Sequence, residues 1–330
     1  MDPTIRSDVQ VVGAGLNYDI RPAVGEVWEL TRFGSSVFVG VPPNLRPDMN
    51  VGIFDGITGP SHTMRGADVR GWYRDGRLII DNTHYARITN AAGAGANLSF
   101  SAKLIREVGA GPSPIRSDVQ AVLAAGTVDI RPAAGSGETW KITDIGSDQW
   151  IGAAGVALPD VDIDLNDGTL TARILRSPDN RGWQAPLEFY VDRNDYITIT
   201  NTAGVTAAIS WSAELVHQSG TGVTLVRSDI QTALALASVD FRPVLGEEWK
   251  ITGIAGAAWV GVAPAGVPDL TAHLFDLANA SQIMDSGGGA LQNSLLQLLI
   301  NNANYLRLTD TSNAPHNVGI SAILTGQYST

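Results

Sequence analysis

The sequence predicts an all-β protein made of three tandem β-sandwich domains. One set of motifs occurs three times, at spacings of 110 and 111 residues between Arg6, Arg116 and Arg227. Within each copy, apolar and polar residues alternate with a period of two, and clusters of Gly, Pro, Asn and Asp separate the alternating runs. About eight such runs in each copy favour a jelly roll, with an immunoglobulin-like sandwich as the alternative.

The repeat is defined by four motifs in a constant order. Each copy begins with Arg-Ser-Asp, continues with Asp-x-Arg-Pro and Gly-Glu-x-Trp, and has a Tyr-x-(Arg or Thr) strand near its end. The first residues of these motifs are Arg6, Asp19, Gly25 and Tyr85 in the first copy, Arg116, Asp129, Gly137 and Tyr196 in the second, and Arg227, Asp240, Gly246 and Tyr305 in the third. Short joints rich in Gly, Pro and Ser separate the copies, which places the domains at residues 1–109, 110–221 and 222–330.

The alternation is clearest in the last predicted strand of each copy. In the second copy, Ile209 and Trp211 fall on one side of this strand and Ser210 falls on the other. One apolar run, residues 290–300, has the composition of a helix. Because it aligns with the β-like residues 186–191 of the second copy, we predict that most of it is strand.

Composition excludes several classes of partner. The net charge is −11, the pI is about 4.8 and Lys and Arg form no run, so no nucleic-acid partner is expected. The absence of cysteine excludes disulfides and thiolate sites and fits folding in a reducing compartment. No signal peptide and no apolar stretch of ~20 residues is visible, so no membrane partner is expected. Only 17% of residues are charged, which suits both a turn-dense β-protein and close contact with other proteins.

No motif indicates catalysis. The chain lacks the H-E-x-x-H, G-x-S-x-G and P-loop patterns, and its five histidines share no position in the repeat. We therefore predict that the protein is not an enzyme and has no catalytic, cofactor-binding or metal-binding residues. The charges of Asp-x-Arg-Pro would suit a charged ligand, but a structural ion pair that fixes the first strands is the preferred interpretation.

An acidic run in the second copy is a separate candidate. Asp160, Asp162 and Asp164 alternate along a predicted strand and would share one face, where carboxylates suit Ca²⁺. The spacing does not fit an EF-hand, and only the first Asp recurs in the other copies. The favoured alternative is an acidic edge strand that resists pairing with other sheets, and the sequence leaves cation binding open.

A cluster of aromatic and Arg residues interrupts the symmetry of the repeat. It consists of Arg70, Trp72, Tyr73 and Arg74 in the first copy and Trp183 in the second. This composition is typical of interface hot spots and of platforms on which sugars stack, so these five residues are candidates for interface or glycan contacts. The alternative is that the two tryptophans close the open end of a sandwich. The tryptophans that recur between copies are predicted to lie in the core; they are Trp28, Trp140, Trp249, Trp150 and Trp259.

The whole chain resembles the tandem β-sandwich accessory proteins of tailed bacteriophage virions, such as head decoration or fibre-associated proteins. The resemblance rests on the Gly-Glu-x-Trp strand after Asp-x-Arg-Pro and on the Tyr strand near the end of each copy. It implies a jelly-roll-like building module with no catalytic residues, made in the host cytoplasm and located in the virion, whose partners are other capsid or tail proteins. Many decoration proteins are single domains that form trimers, so three copies in one chain would suit a pseudo-trimer, and a homo-oligomer is also compatible with the sequence.

Two other functions follow from the same residues. An array of carbohydrate- or receptor-binding modules would stack a host-surface glycan on Trp72, Tyr73 and Trp183. A hydrolase is the weakest hypothesis, because no pair of carboxylates is singled out by its spacing.

Overall fold

The structure, a computed structural model, is all-β in the part of the chain that it describes. The described residues are 5–39, 46–59, 61–65, 70–71, 78–106, 115–151, 158–176, 181–182, 189–218, 225–260, 267–276, 280–285 and 298–327. Within these ranges, no helix long and apolar enough to cross a bilayer is present. The predicted all-β class is therefore confirmed.

The strands follow the sequence repeat. In residues 1–109 they are β1 (Ile5–Val12), β2 (Asn17–Ile20), β3 (Val27–Ser35), β4 (Phe38–Val39), β5 (Arg46–Pro47), β6 (Met49–Phe54), β7 (Ser61–Arg65), β8 (Arg70–Gly71), β9 (Leu78–Ile80), β10 (Tyr85–Asn90) and β11 (Ala96–Arg106). In residues 110–221 they are β12 (Asp118–Val122), β13 (Thr127–Ile130), β14 (Glu138–Ser147), β15 (Trp150–Ile151), β16 (Leu158–Pro159), β17 (Val161–Asn166), β18 (Thr171–Arg176), β19 (Arg181–Gly182), β20 (Phe189–Val191), β21 (Tyr196–Asn201) and β22 (Ala207–Gln218). In residues 222–330 they are β23 (Asp229–Ala233), β24 (Ser238–Phe241), β25 (Glu247–Gly256), β26 (Trp259–Val260), β27 (Val267–Pro268), β28 (Leu270–Phe275), β29 (Ala280–Asp285), β30 (Leu298–Asn301), β31 (Tyr305–Asp310) and β32 (His316–Gln327).

Strand pairing repeats together with the sequence. The first repeat has one sheet in the order β1-β11-β3-β9 and a second row of strands in the order β2-β10-β6-β7-β8. The third repeat has the orders β23-β32-β25-β30 and β24-β31-β28-β29, in which each strand takes the place of its counterpart in the first repeat. The second repeat contributes β12-β22-β14, with β20 also paired to β14, and β13-β21-β17-β18-β19. The same pairing scheme therefore occurs three times.

The first and third repeats each enclose one apolar cluster between two sheets. In the first repeat, Leu30 and Leu98 of one sheet share a cluster with Ile20 of the other. In the third, Ile251 and Phe241 belong to one cluster in the same way. These side chains are at most 2% exposed, and each stabilises its repeat by about 1.5–3 kcal/mol relative to an exposed position.

Trp28 and Trp249 lie at the margin of these clusters and not inside them, so the core position predicted for these two tryptophans is wrong. Trp28 packs against the cluster of the first repeat and Trp249 against that of the third, and both are half-buried. The indole N–H of each Gly-Glu-x-Trp motif donates to the glutamate two residues earlier; the distances are 3.0 Å from Trp28 to Glu26, 2.7 Å from Trp140 to Glu138 and 2.7 Å from Trp249 to Glu247. Trp150 is also half-buried, and the side chain of Trp259 lies outside the described residues.

The helix-like run at residues 290–300 ends in a strand. β30 begins at Leu298, so residues 298–300 are strand, and strand in the rest of the run stays a prediction. Residues 286–297 lie outside the described part of the chain.

Contacts divide the chain into two compact units. Unit 1 comprises Met1–Gly126, Ile142–Asp160 and Asn201–Val216, so it contains the first repeat, β12 and most of β22. Unit 2 comprises Thr127–Lys141, Val161–Thr200 and His217–Thr330, so it contains the third repeat, β13 and β17 to β21. Each unit therefore joins one whole repeat to strands of the middle repeat.

Candidate interaction surfaces

The aromatic and Arg cluster predicted from the sequence is mostly outside the described residues. Arg70 is the first residue of the short strand β8, which pairs with β7, and its side chain is not described. Trp72, Tyr73, Arg74 and Trp183 all lie outside the described residues, so their role as interface or glycan contacts stays a prediction.

The Asp-x-Arg-Pro motif forms a closed network with the Tyr-x-Arg strand. In the first repeat, Arg87 donates to both carboxylate oxygens of Asp19 at 2.6 and 2.8 Å and lies 4.0 Å from the ring centroid of Phe54. Arg21 lies 3.8 Å from the ring centroid of Tyr85. Arg87 is bonded to Asp19 and Arg21 stacks on a ring of the same repeat, which favours the structural interpretation of this motif over a charged ligand site.

The other two repeats contain the same network with one substitution. In the third repeat, Arg307 bonds Asp240 at 2.5 and 2.8 Å, and Arg242 lies 3.8 Å from the ring centroid of Tyr305. In the second repeat, Thr198 stands in place of the arginine of Tyr-x-Arg. The Thr198 hydroxyl donates to Asp129 at 2.8 Å, and Arg131 pairs with the same carboxylate at 2.9 Å.

The Arg-Ser-Asp motif is also bonded within its own repeat. In the third repeat, Arg227 donates to both oxygens of Glu247 at 3.0 and 2.8 Å, and the same glutamate accepts from the tryptophan of Gly-Glu-x-Trp. In the first repeat, Arg6 contacts Glu26 at 3.3 Å. The aspartate of the motif accepts from the glutamine two residues later in all three repeats. This motif therefore fixes the start of each repeat.

The acidic strand of the second repeat is neutralised by an arginine from the adjacent strand. Arg173 on β18 donates to Asp162 and, at 2.7 and 3.0 Å, to both oxygens of Asp164. Among the described residues, no group of three or more His, Asp or Glu side chains is arranged to hold a metal ion. β17 lies between β21 and β18, so the predicted acidic edge strand is wrong: these carboxylates lie inside a sheet, where Arg173 compensates their burial.

The first aspartate of the run has a different and recurrent role. Asp160 accepts a hydrogen bond from the hydroxyl of Thr202 at 2.7 Å, and Asp269 of the third repeat accepts one from Thr311 at 2.6 Å. In the first repeat the threonine position is occupied by Ala91, whose N–H bonds the backbone carbonyl of Asp48 as in the other repeats. One carboxylate oxygen of Asp48 is buried with no hydrogen-bond partner in the described part of the chain, and burial raises the pKa of this residue.

Replacing Ala91 with threonine is expected to stabilise the first repeat by about 1 kcal/mol, because the new hydroxyl gives Asp48 the bond that its counterparts have. Chemical denaturation of the full chain measures this effect. Ala91→Val is the matched control, since valine has the shape of threonine without the hydroxyl. Equal stability of the two variants would show that the hydroxyl makes no such bond.

Within unit 1, the edge strand β9 of the first repeat lies against the second repeat; we call this contact the first seam. Ile79 is 1% exposed and shares an apolar cluster with Ile115. Its backbone N–H donates to the hydroxyl of Ser212 at 2.5 Å, and its carbonyl accepts from the hydroxyl of Ser117 at 2.9 Å. The two serines therefore satisfy backbone groups that a neighbouring strand would otherwise bond.

Small polar residues continue the first seam. The hydroxyls of Ser210 and Ser61 are 2.8 Å apart, and both residues are fully buried. Close to them, a single backbone pairing between Ser147 and His62 joins β14 to β7. At one end of the seam, His84 Nε2 is 3.6 Å from a carboxylate oxygen of Asp118, and this nearby carboxylate raises the pKa of His84.

Within unit 2, strands of the second repeat lie against the third repeat; we call this contact the second seam. β18 contacts β25 and β32. A Cβ atom on Gly253 would lie 2.5 Å from the ring of Phe189, so the glycine leaves room for this ring. The side-chain amide of Asn317 donates to the carbonyl of Thr171 at 3.0 Å. Burial, together with nearby carboxylates that include Asp229, raises the pKa of Asp195 to about 7.

The two seams use the same positions of the repeat. The Ser61 and Ser210 pair of the first seam corresponds to Ala172 and Gly319 of the second, where a Cβ atom on the glycine would lie 3.5 Å from that of Ala172. The pair of His84 and Asp118 likewise corresponds to Asp195 and Asp229. The seams were not predicted from the sequence, although the serine that recurs in Arg-Ser-Asp was a signal for them.

No protein-family model and no curated protein sequence matches the chain.

Proposed function

We propose that each repeat is a jelly roll and that the chain is a non-enzymatic structural protein of a virus particle. With the two-residue strands set aside, the eight strands of the first repeat lie in the orders 1-8-3-6 and 2-7-4-5, and those of the third repeat do the same. These orders favour a jelly roll, with its two Greek keys, over the immunoglobulin-like grouping of strands ABED and CFG.

The functional proposal rests on one observation, which is the set of partners bonded by the charged side chains of the recurrent motifs. In the described residues, the Asp-x-Arg-Pro charges and the arginines of the first and third Arg-Ser-Asp motifs bond partners in their own repeats, and Asp118 also faces His84 across the first seam. Charges held in this way serve the fold, and the contacts between repeats at the seams are made by small polar and apolar residues. We therefore infer that the chain acts through protein–protein contacts, decorating or cementing a capsid or tail surface.

On a repeating capsid or tail lattice, several weak contacts from one chain would be sufficient for stable binding. Each repeat would contribute a weak contact, and linkage in one chain raises the effective concentration of the second and third contacts once the first has formed. This mode of binding requires no catalytic group and no cofactor.

Co-sedimentation with virus particles tests the proposal. The purified chain is mixed with particles of the virus that encodes it, prepared so that they lack it. We expect saturable binding in a fixed ratio to the lattice protein, unchanged in the Trp72→Ala variant. Failure to bind, together with Trp72-dependent binding to a glycan array, would overturn the proposal in favour of a carbohydrate- or receptor-binding array.

A further inference from the structure

The start of each repeat carries apolar residues at two equivalent positions, and their environments differ between repeats. In the second repeat Ile115 and Val119 are 8% and 4% exposed, and in the third repeat their counterparts Val226 and Ile230 are 3% and 4% exposed. In the first repeat the counterparts of these residues are exposed: Ile5 is 57% and Val9 is 64% exposed. We call the face that contains Ile5, Ser7 and Val9 the head face.

The strands that face these positions across the seams also differ in exposure between repeats. Ile79 on β9 is 1% exposed in the first seam, and its counterpart Tyr190 on β20 is 9% exposed. The counterpart in the third repeat is Leu299 on β30, and it is 55% exposed. β30 ends the sheet β23-β32-β25-β30, as β9 ends its sheet in the first repeat. We call the face that contains Leu299 and Asn304 the tail face.

From these two differences we propose that the tail face of one chain binds the head face of a second copy of the same chain, and that this contact reproduces the two internal seams. It is a heterologous contact, so copies add head to tail and form either a closed ring or an open series. The proposal rests on the seams alone, and it identifies a partner that the particle-binding proposal does not require.

The chemistry of the two faces favours a second copy as the partner. Asn304 occupies the position of His84 in the first seam, and Asp8 occupies the position of Asp118, so an amide would face a carboxylate. This pair avoids the repulsion between Asp195 and the acidic residues around it in the second seam. The serine that satisfies the edge strand in the first seam, Ser117, also has its counterpart on the head face, Ser7.

One residue of the head face, Arg32, differs in character from the residues at the equivalent positions in the two seams. Arg32 is exposed where the other repeats have Asp144 and Gly253, both of which are buried. A long charged side chain at this place adds a desolvation cost to the contact, so we expect self-association of micromolar strength, with a Kd of about 1–100 μM.

Sedimentation velocity of the full chain, from about 1 to about 200 μM, tests the proposal. We expect the mean mass to rise above the 34.8 kDa of one chain as concentration increases. Val9→Glu places a charge in the head face, and Leu299→Glu places a charge in the tail face. Each substitution should prevent the contact, so each variant alone should remain a monomer. Because each variant keeps the face that the other lacks, an equimolar mixture should form a dimer and nothing larger, which also shows that both variants are folded.

Matched controls carry the same substitution outside the seam positions. Val11 is 81% exposed on the same strand as Val9, and its counterpart Ala121 is also exposed, so Val11→Glu should associate as the unmodified chain does. Leu245→Glu is the corresponding control in the third repeat, where Leu245 is 72% exposed. A monomer at every concentration, or unchanged association of Val9→Glu alone, would overturn the proposal; particle binding by such a monomer would leave the proposed function intact.

Discussion

Replacing Arg173 with alanine is expected to lower the free energy of unfolding by about 3 kcal/mol at pH 7, one of the two largest effects that we predict. Arg173 is the cation that both Asp162 and Asp164 contact, and the side chains of these acids are only 11% and 10% exposed. Without it, two carboxylates remain close together inside a sheet, where low polarity strengthens their repulsion. Part of the effect is lost to solvent screening, since the Arg173 side chain is 28% exposed.

The third repeat supplies the matched rescue for this experiment. At the three equivalent positions it has Thr271, His273 and Gln282, a set with no carboxylate. Transferring this set in the triple variant Asp162→Thr, Asp164→His, Arg173→Gln should restore most of the lost stability. The single variant should also regain stability as the pH falls and the two acids become protonated. Urea denaturation at pH 5 and pH 7 measures both effects; a single variant as stable as the unmodified chain at pH 7 would contradict the assigned role of Arg173.

Asp144→Asn is expected to have an effect of similar size and opposite sign. Asp144 is 6% exposed, and its burial raises its pKa to about 7, while a hydrogen bond from the backbone of Ile145 opposes this shift only in part. The unfolded chain holds this carboxyl at a pKa of about 3.9. The native state therefore binds the proton more tightly, so the stabilising contribution is complete below about pH 4 and is lost as the pH rises to about 7.

The measurable consequence is a stability that decreases from pH 5 to pH 8. Asp195, whose pKa is also raised to about 7, and His84, whose pKa is raised by the nearby carboxylate of Asp118, change stability in the same direction. We expect Asp144→Asn to raise the free energy of unfolding by about 2–4 kcal/mol at pH 8 and by only about 1 kcal/mol at pH 5. Urea denaturation across this pH range measures the slope. A variant that follows the unmodified chain at both pH values would contradict the burial of a charged Asp144.

Much of the local structure could be predicted from the sequence because it depends on short-range patterns. The alternation in residues 208–215 predicted a strand correctly, and the alignment of the three copies predicted strand in residues 298–300, the part of the helix-like run that the structure describes. Here the repeat was a stronger signal than helix propensity, which is a weak guide when tertiary packing decides.

Pairing between strands was less predictable. The sequence contained both Asp19 and Arg87, but their contact depends on the register between β2 and β10, in which Arg87 lies opposite Asp19. A slip of one residue would place Arg87 on the other face of the sheet. The same limit explains the acidic strand: the sequence placed Asp162 and Asp164 on one face correctly, but it did not indicate that β18 would bring Arg173 between them.

The seams lay beyond sequence reasoning for a physical reason. Val9 and Val119 are the same residue type in the same motif, and one is 64% exposed while the other is 4% exposed. The difference arises from what packs against each strand and not from the strand itself. Local patterns therefore identify what each repeat is made of, whereas contacts between repeats decide which of its faces are buried.

Electron cryomicroscopy of virus particles incubated with the purified chain is the most direct test of the proposal that this protein works by protein–protein contact. We expect ordered density for three β-sandwich modules per chain, at equivalent positions of the capsid or tail lattice, with contacts made by protein surfaces. Particles that contain no density for the chain at any capsid or tail position would contradict the claim.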